Sequence, residues 1–377
     1  MKSTEGIHIV GLDHVRALAV FLVFTYHFLT TLAGKGGTLP GSFSFPGNAL
    51  LFEGHTGVGL FMVLSGYLFS RLTEGREIDF TAFRYNRFIR LAPLLLAVLA
   101  IRFVEACTYG YEAAYGWFWA IFVNGLILPN WPNGGWSVAT EMHFYLLFPV
   151  LVVLLRRDWK LLLLVLAGAA ALRAWIYLAW SPEDAQYAAY WTIIGRIDQF
   201  VLGMVAARCA SFFQGRHRLA AAIGLAWVLF WYGFASAGGF YAPDKQWLWI
   251  VLPSLEGAAY ASLIAYYEKS FRMPAAGVSG FIGKIGEWSY SFYLLHFFVV
   301  AEMARGIDRH VVALDNFYLA LLFALPCFLV VAGAAGLSYR WFETPFLRKR
   351  VRYLRDGEGV SGPAQTSPRA ATALAAD

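Results

Sequence analysis

The sequence predicts an all-α fold, a polytopic membrane protein of about ten transmembrane helices with both termini cytoplasmic. Three observations carry that prediction. Of 377 residues, 59% are hydrophobic and only 14% charged, against about 25% charged in an ordinary soluble domain, and the mean hydropathy is +0.55. Apolar segments long enough to cross a bilayer, ~20 residues each, recur along the chain. The basic residues gather in short clusters between those segments, which is a topology signal rather than a nucleic-acid one, despite a formal charge of +6.

Taken in order, the predicted spans lie near 15–33, 55–72, 88–106, 137–155, 161–180, 191–207, 219–237, 247–267, 285–303 and 317–338. The apolar piece from Trp117 to Leu128 is shorter and fits a re-entrant or interfacial segment. Charge supports this map. The clusters at Arg71/Arg76/Arg84/Arg87/Arg90, Arg156/Arg157/Lys160, Arg208/Arg216/Arg218, Lys269/Arg272/Lys284 and Arg340 to Arg355 all fall on the side of the termini. The opposite loops keep only Lys35, Lys245, Arg305 and Arg309. An eleventh span at 117–128 would invert the later loops against the positive-inside rule.

The stretch 107–136 is then an extracytoplasmic loop without Lys or Arg. It ends in breaker-rich Pro129-Asn-Trp-Pro-Asn-Gly-Gly-Trp136, the kind of irregular backbone that lines a cavity near a membrane. Residues 1–355 read as one transmembrane domain and 356–377, small and polar, as a disordered cytoplasmic tail. Met1 to Val10 shows no cleavable signal, so the first apolar segment reads as a retained span. Cys107, Cys209 and Cys327 have neither disulfide nor metal spacing, and no metal site is expected. The absence of G-x-S-x-G, Walker and zinc-type motifs argues against soluble hydrolase, ATPase and metalloenzyme functions.

Three constellations carry chemistry. Arg16 and His27 are eleven residues apart on the first span, ~16 Å and about three full turns, so they share one face. Asp13 precedes Arg16 by one turn. Ionisable groups inside a membrane mark functional sites, and a neutral buried imidazole is a competent general base. Arg84, Arg87 and Arg90, at i, i+3 and i+6 entering the third span, present guanidinium forks that match phosphate oxygens. An inside-positive anchor would explain their sign but not their regular spacing. In Trp136-Ser-Val-Ala-Thr-Glu141-Met-His-Phe-Tyr145, Glu141 stacks with Ser137 and Tyr145 at i±4. From the outer side it is placed to polarise a hydroxyl or orient a histidine. Weaker signals are Glu256, His296 and the pair Arg196 and Asp198, which at i, i+2 cannot face each other and need partners elsewhere.

Together these blocks resemble acyltransferase family 3, the bacterial integral-membrane O-acyltransferases of surface and secreted glycans. Gly11-Leu-Asp-His-Val-Arg-Ala-Leu-Ala with His27 is similar to the family's Arg-x10-His opening. Gly57-Val-Gly-Leu-Phe-Met-Val-Leu-Ser-Gly-Tyr-Leu resembles its second-helix motif. Arg87-Phe-Ile-Arg90-Leu-Ala-Pro93 resembles its Arg-x-x-Arg-x-x-Pro element, and Trp136-Ser-Val-Ala-Thr-Glu141 its Trp-Ser-to-Glu segment. Similar blocks at Arg196 to Gly203, Ser289 to His296 and Ser338 to Phe346 follow in the same order. Gly59 stands where the family is often polar, and His143 where Gln is common. The chain ends after the last predicted span, so the acceptor is expected to be handled by the membrane domain alone or with a partner.

The resemblance implies an O-acyltransferase, acetyl being the foremost acyl group, in the bacterial cytoplasmic (inner) membrane. Acyl-CoA would be a co-substrate, with no tightly bound cofactor. The acceptor would be a hydroxyl of an extracytoplasmic carbohydrate such as O-antigen, exopolysaccharide or lipo-oligosaccharide. His27 and Glu141 would be catalytic, with His27 either deprotonating the acceptor or carrying the acyl group. Arg16, Arg87, Arg90, Asp13, Trp136, Ser137 and Tyr145 would bind substrates. Expected partners are the lipid bilayer and glycan-biosynthesis proteins, with no nucleic acid. The competing readings are acylation of a small secreted metabolite such as a macrolide, and a non-catalytic transporter or flippase.

Overall fold

A computed structural model describes residues 8–34, 36–124 and 131–356. The chain opens with α1 (Val10–Ala33), α2 (Pro46–Phe52) and α3 (Gly57–Thr73), then β1 (Arg76–Ile78), α4 (Phe80–Thr108), α5 (Tyr111–Phe118) and α6 (Gly135–Arg157). It continues with α7 (Leu161–Ala179), α8 (Pro182–Trp191), α9 (Ile193–Arg208), α10 (Ala210–Phe213), α11 (His217–Ser236) and α12 (Leu252–Ser270). The last elements are α13 (Gly277–Glu287), α14 (Ser289–Leu295), α15 (Val300–His310), α16 (Phe317–Ser338), α17 (Thr344–Leu347) and β2 (Leu354–Asp356). Among the described residues the protein is an all-α membrane protein apart from one antiparallel strand pair, in which Ile78 faces Leu354 and Arg76 faces Asp356.

Six helices among the described residues are long and apolar enough to cross a membrane: α1, α4, α6, α7, α11 and the run Phe317–Leu347. A seventh crossing results if α2 and the Gly54–Thr73 helix, bent by 64° at their junction, form one broken span. The expected count of about ten is not reached on length and hydropathy. Three predicted spans account for the difference. At 191–207, α9 has only 16 residues. At 247–267, α12 carries Glu256, Glu268 and Lys269. At 285–303 the chain is cut into α13, α14, a short 3-10 turn at His296–Phe298 and α15.

The predicted loop 107–136 is partly helical, with α5 followed by a wide helical turn at Trp119–Asn124. Residues 125–130, including Pro129 and Asn130, lie outside the described residues. The irregular stretch is shorter than predicted, because α6 already begins at Gly135. Trp131 Nε1 donates to the Ile121 carbonyl at 3.0 Å, and Asn133 adopts a left-handed conformation (φ 54°). Asn133 accepts from Arg102 Nε at 2.8 Å and donates to the Leu294 carbonyl at 3.2 Å, which ties this turn to α4 and α14. Of the predicted tail 356–377, Asp356 belongs to β2 and residues 357–377 lie outside the described residues.

Inside the bundle α3 and α9 cross in near contact. A Cβ on Gly66 would lie 1.9 Å from the Phe200 carbonyl oxygen, and one on Gly203 would lie 2.1 Å from the Val63 carbonyl oxygen. Small residues at such crossings let backbones approach where lipid offers no hydrophobic driving force. The predicted need of Arg196 and Asp198 for separate partners is met. Arg173 from α7 makes a two-pronged pair with Asp198, at 2.8 and 3.2 Å. Arg196 pairs with Glu256 of α12 at 3.4 Å, and all four side chains are buried. These pairs hold α7, α9 and α12 together and set the floor on which the site rests.

Candidate active site

Two cavities meet in the middle of the bundle. The first, of ≈ 830 Å³ and partly open to solvent, is lined by Arg16, Arg87, Arg90, Ser137, Glu141 and Tyr145, together with apolar side chains of α3. The second, of ≈ 710 Å³, is lined by His27, His55, Trp136, Tyr190, Trp191, Phe240, Tyr241 and Phe297. Val58 and Tyr293 line both. Because α1 is unbroken from Val10 to Ala33, Arg16 in one cavity and His27 in the other are separated by ~16 Å along a single helix.

Cations dominate the first cavity. Asp79 caps α4 by accepting from the Thr81 and Ala82 amides at 3.0 Å each, and the helix then turns Arg87 and Arg90 inward. The Arg87 guanidinium lies 4.9 Å from the Phe69 ring centre and 5.5 Å from that of Phe83, while its buried Nε has no hydrogen-bond partner. Arg90 stands over Tyr290 at 6.0 Å. Arg84, predicted to share their flank, is exposed and bonds the Phe80 carbonyl instead. Two of the three arginines therefore reach the cavity, because i+3 steps precess by about 60° per step around a 3.6-residue helix.

The structure separates Glu141 from His27. Glu141 accepts from Ser65 Oγ at 3.0 Å and from the Tyr145 hydroxyl, and it lines the arginine cavity, not the histidine one. It lies five residues into the helix from Trp136, ~7.5 Å of rise, so Trp136 reaches the histidine cavity and Glu141 falls below it. The predicted stacking with Tyr145 is present. Ser137 Oγ instead lies 3.0 Å from both the Gly134 carbonyl and the Tyr293 hydroxyl, and its single O–H donates to one of them.

Asp13 lines neither cavity. It is buried, accepts from His8 Nε2 at 2.7 Å and pairs with Arg16. It therefore meets Arg16 and His8 rather than the open space of either cavity. The ligand atoms of His8, Asp13 and Glu287 come within 4.8 Å of one another, but Arg16 already supplies positive charge to that carboxylate. Gly59 backs onto α9 and α12, where a Cβ would be 2.9 Å from Gln199 Nε2 and 3.2 Å from Glu256 Oε2. There is no room for a polar side chain at 59, and the Glu256 carboxylate occupies that space.

The His27 imidazole faces His296 at 5.4 Å and Phe297 at 4.6 Å between ring centres. His296 donates through Nδ1 to the Tyr293 carbonyl at 2.7 Å, and its buried Nε2 has no partner. The residues that sequence reasoning missed are Glu53, His55 and Tyr293. Glu53 and His55 sit at the break between α2 and α3, where no helical periodicity marks them. Tyr293 is one more aromatic residue in an aromatic run; its hydroxyl donates to the Gly134 carbonyl at 3.1 Å, closing the wall between the cavities.

The profile of a family described as an acyltransferase domain matches residues 9–335. Among curated proteins, the chain is 24% identical to a peptidoglycan O-acetyltransferase of Listeria monocytogenes, over 90% of this chain and 56% of that one. It is 27% identical to a putative membrane-bound transacylase of Komagataeibacter xylinus, over 51% and 49%. It is 23% identical to an O-acetyltransferase of Staphylococcus aureus, over 91% and 58%. The chain thus spans about half to three fifths of the length of these relatives. No solved structure gives a significant match. The match over residues 9–335, which takes in both cavities and every helix that lines them, shows that this chain belongs to the family of integral-membrane acyltransferases that its motifs resemble.

Proposed function

We propose that this protein is a membrane O-acyltransferase, specifically an O-acetyltransferase, that moves an acyl group from acyl-CoA on the cytoplasmic side to a carbohydrate hydroxyl on the other side of the inner membrane. The observation that carries the reading is the pair of adjoining cavities, cationic around Arg16, Arg87 and Arg90 and aromatic around His27, with Val58 and Tyr293 between them. The arginine cavity suits the phosphates of the donor, because guanidinium forks match phosphate oxygens. The clustering of basic residues on that side supports a cytoplasmic orientation. The acyl-pantetheine arm would pass Tyr293 to reach His27.

In the second cavity Trp136, Tyr190 and Trp191 present broad aromatic faces with polar edges, and Phe240 a wholly apolar ring, a combination that suits a sugar ring. There His27 either takes the proton of the acceptor hydroxyl or carries the acyl group transiently. Glu141, bonded to Ser65 and Tyr145, would order the donor side. The O-acetyltransferases among the relatives support acetyl as the group moved and a glycan as the acceptor. The cofactor requirement is acyl-CoA as co-substrate alone, and glycan-biosynthesis proteins would deliver the acceptor. Protein reconstituted in liposomes with labelled acetyl-CoA inside and a panel of glycans outside tests the whole reading. Label should appear as an ester on a glycan, and glycan or CoA movement without ester formation would replace this function with transport.

A further inference from the structure

At the junction of α2 and α3, Glu53 and His55 form a buried dyad that the assignment above leaves unused. Both are nearly inaccessible, 5% and 3% exposed. His55 Nε2 lies 3.1 Å from Glu53 Oε2. A carboxylate only accepts, so this bond places the proton on Nε2 and leaves the lone pair on Nδ1. Nδ1 is buried and has no hydrogen-bond partner, and the ring borders the same cavity as His27. Glu53 Oε1 lies directly against the Gly239 backbone, where a Cβ would sit only 2.0 Å away, so the carboxylate cannot swing from its place. Edges and faces of Tyr26, Tyr190, Trp231 and Phe240, at 5.1 to 5.5 Å between centres, fix the imidazole from the remaining sides. A base oriented by a carboxylate, with its free nitrogen bordering a cavity, is the arrangement that activates hydroxyls in hydrolytic triads.

We propose that His55, positioned by Glu53, is the general base that takes the proton of the acceptor hydroxyl, leaving His27 to meet the acyl group; this rests on the acyl-transfer reading above. As the acceptor O–H bond breaks, its proton passes to His55 Nδ1 and its oxygen bonds to the acyl carbonyl carbon. The acyl–sulfur bond breaks and its electron pair leaves on the CoA sulfur. The proton held on His55 is then given up to that thiolate, which restores the neutral imidazole and leaves ester and CoA thiol as the only products. The titratable and charged groups around His55 are Glu53 on its own loop, Tyr26 and His27 of α1, Tyr190 of α8, Tyr241 and Tyr293 lining the same cavity and, behind Thr56, Glu256 of α12. Glu53 alone among them bonds the imidazole, so substituting it should change His55 without touching His27.

The test compares wild type, His55→Gln, Glu53→Gln and Glu53→Leu in liposomes, reading turnover together with CoA affinity. His55→Gln should lose 100-fold or more of turnover, in the range that general bases contribute, with CoA affinity within twofold. Glu53→Gln keeps an oxygen that can accept from the imidazole N–H, whereas Glu53→Leu keeps none, so turnover should fall further in Glu53→Leu than in Glu53→Gln with CoA affinity within twofold in both. Turnover within threefold of wild type in His55→Gln overturns the proposal. If His55→Gln also loses CoA affinity or folded yield, the two Glu53 variants decide, and turnover equal to wild type in Glu53→Leu overturns it. A wild type that forms no ester defeats the acyl-transfer reading first, which separates that failure from this one.

Discussion

Removing the Arg87 side chain tests the donor site most directly. Among the described residues Arg87 has no carboxylate partner, its guanidinium rests on two phenyl rings, and its buried Nε is unbonded. Its charge is thus not consumed within the protein. A hydrogen bond to a charged group contributes about 1.5–3 kcal/mol net. Losing about 1.5–3 kcal/mol at about 1.4 kcal/mol per decade weakens binding by ~12- to 140-fold. Equilibrium binding of CoA to purified Arg87→Ala protein should show that loss. Arg87→Lys should fall between the two, since an ammonium keeps the charge but not the fork. Arg84→Ala is the internal control, because Arg84 lies one turn before Arg87 on the same helix but is exposed and bonds the Phe80 carbonyl. It should leave CoA affinity within twofold. An Arg87→Ala affinity equal to wild type, or an equal loss in Arg84→Ala, would refute the phosphate role and reduce both arginines to membrane anchors.

Four further outcomes follow from the geometry. His27→Ala should abolish ester formation while CoA affinity stays within twofold, since the two residue sets line different cavities; transfer assays beside binding check this. Tyr293→Ala removes part of the wall between them, and should raise acetyl-CoA hydrolysis without acceptor, read as CoA release. Gly66→Ala places a Cβ 1.9 Å from a backbone oxygen, so α3 and α9 must part by more than about an ångström to restore van der Waals distance. The expected cost is about 3 kcal/mol, the upper end for overpacking, seen as a lower melting temperature in detergent. Asp198→Ala strands the buried Arg173 at about 3–5 kcal/mol, and Arg173→Leu combined with Asp198→Leu should recover much of that loss in the same melting assay.

Helical periodicity made part of the site legible. It placed Arg16 and His27 on one face, because α1 is long, regular and mostly apolar, but it gave Arg84, Arg87 and Arg90 one flank where the structure divides them between solvent and cavity. It misplaced Glu141, since spacing along α6 says which residues stack but not how far down the helix each cavity extends. Glu53 and His55 were invisible for a different reason. They lie at a helix break, and the bond between them exists only once α2 turns by 64° into the following helix. The resemblance places Asp13 among the substrate-binding residues, and its one-turn spacing from Arg16 cannot tell a pair that serves a substrate from one that serves itself; the burial of Asp13 outside both cavities is visible only in the fold.

Two of the predicted spans that are not reached on length and hydropathy bear on the site itself. The α9 and α12 helices fall short as membrane crossings because one is short and the other charged, and they share the buried pair of Arg196 and Glu256. Arg196 lies 4.4 Å beneath the Tyr190 ring and 5.5 Å from that of Trp136, so it supports two walls of the His27 cavity. Its partner Glu256 accepts from Thr56 at 2.6 Å, one residue from His55. A buried ion pair is weak evidence for stability by itself, since desolvation offsets most of the attraction. Here each partner also touches a residue bordering the cavity, which gives the pair a positional reason to exist. An apolar replacement of both could leave the bundle folded, yet it would free Trp136, Tyr190 and the Thr56–His55 turn to move. Arg196→Leu combined with Glu256→Leu should therefore keep the melting temperature within a few degrees of wild type while transfer falls at least tenfold; transfer equal to wild type would show that the pair serves the fold alone.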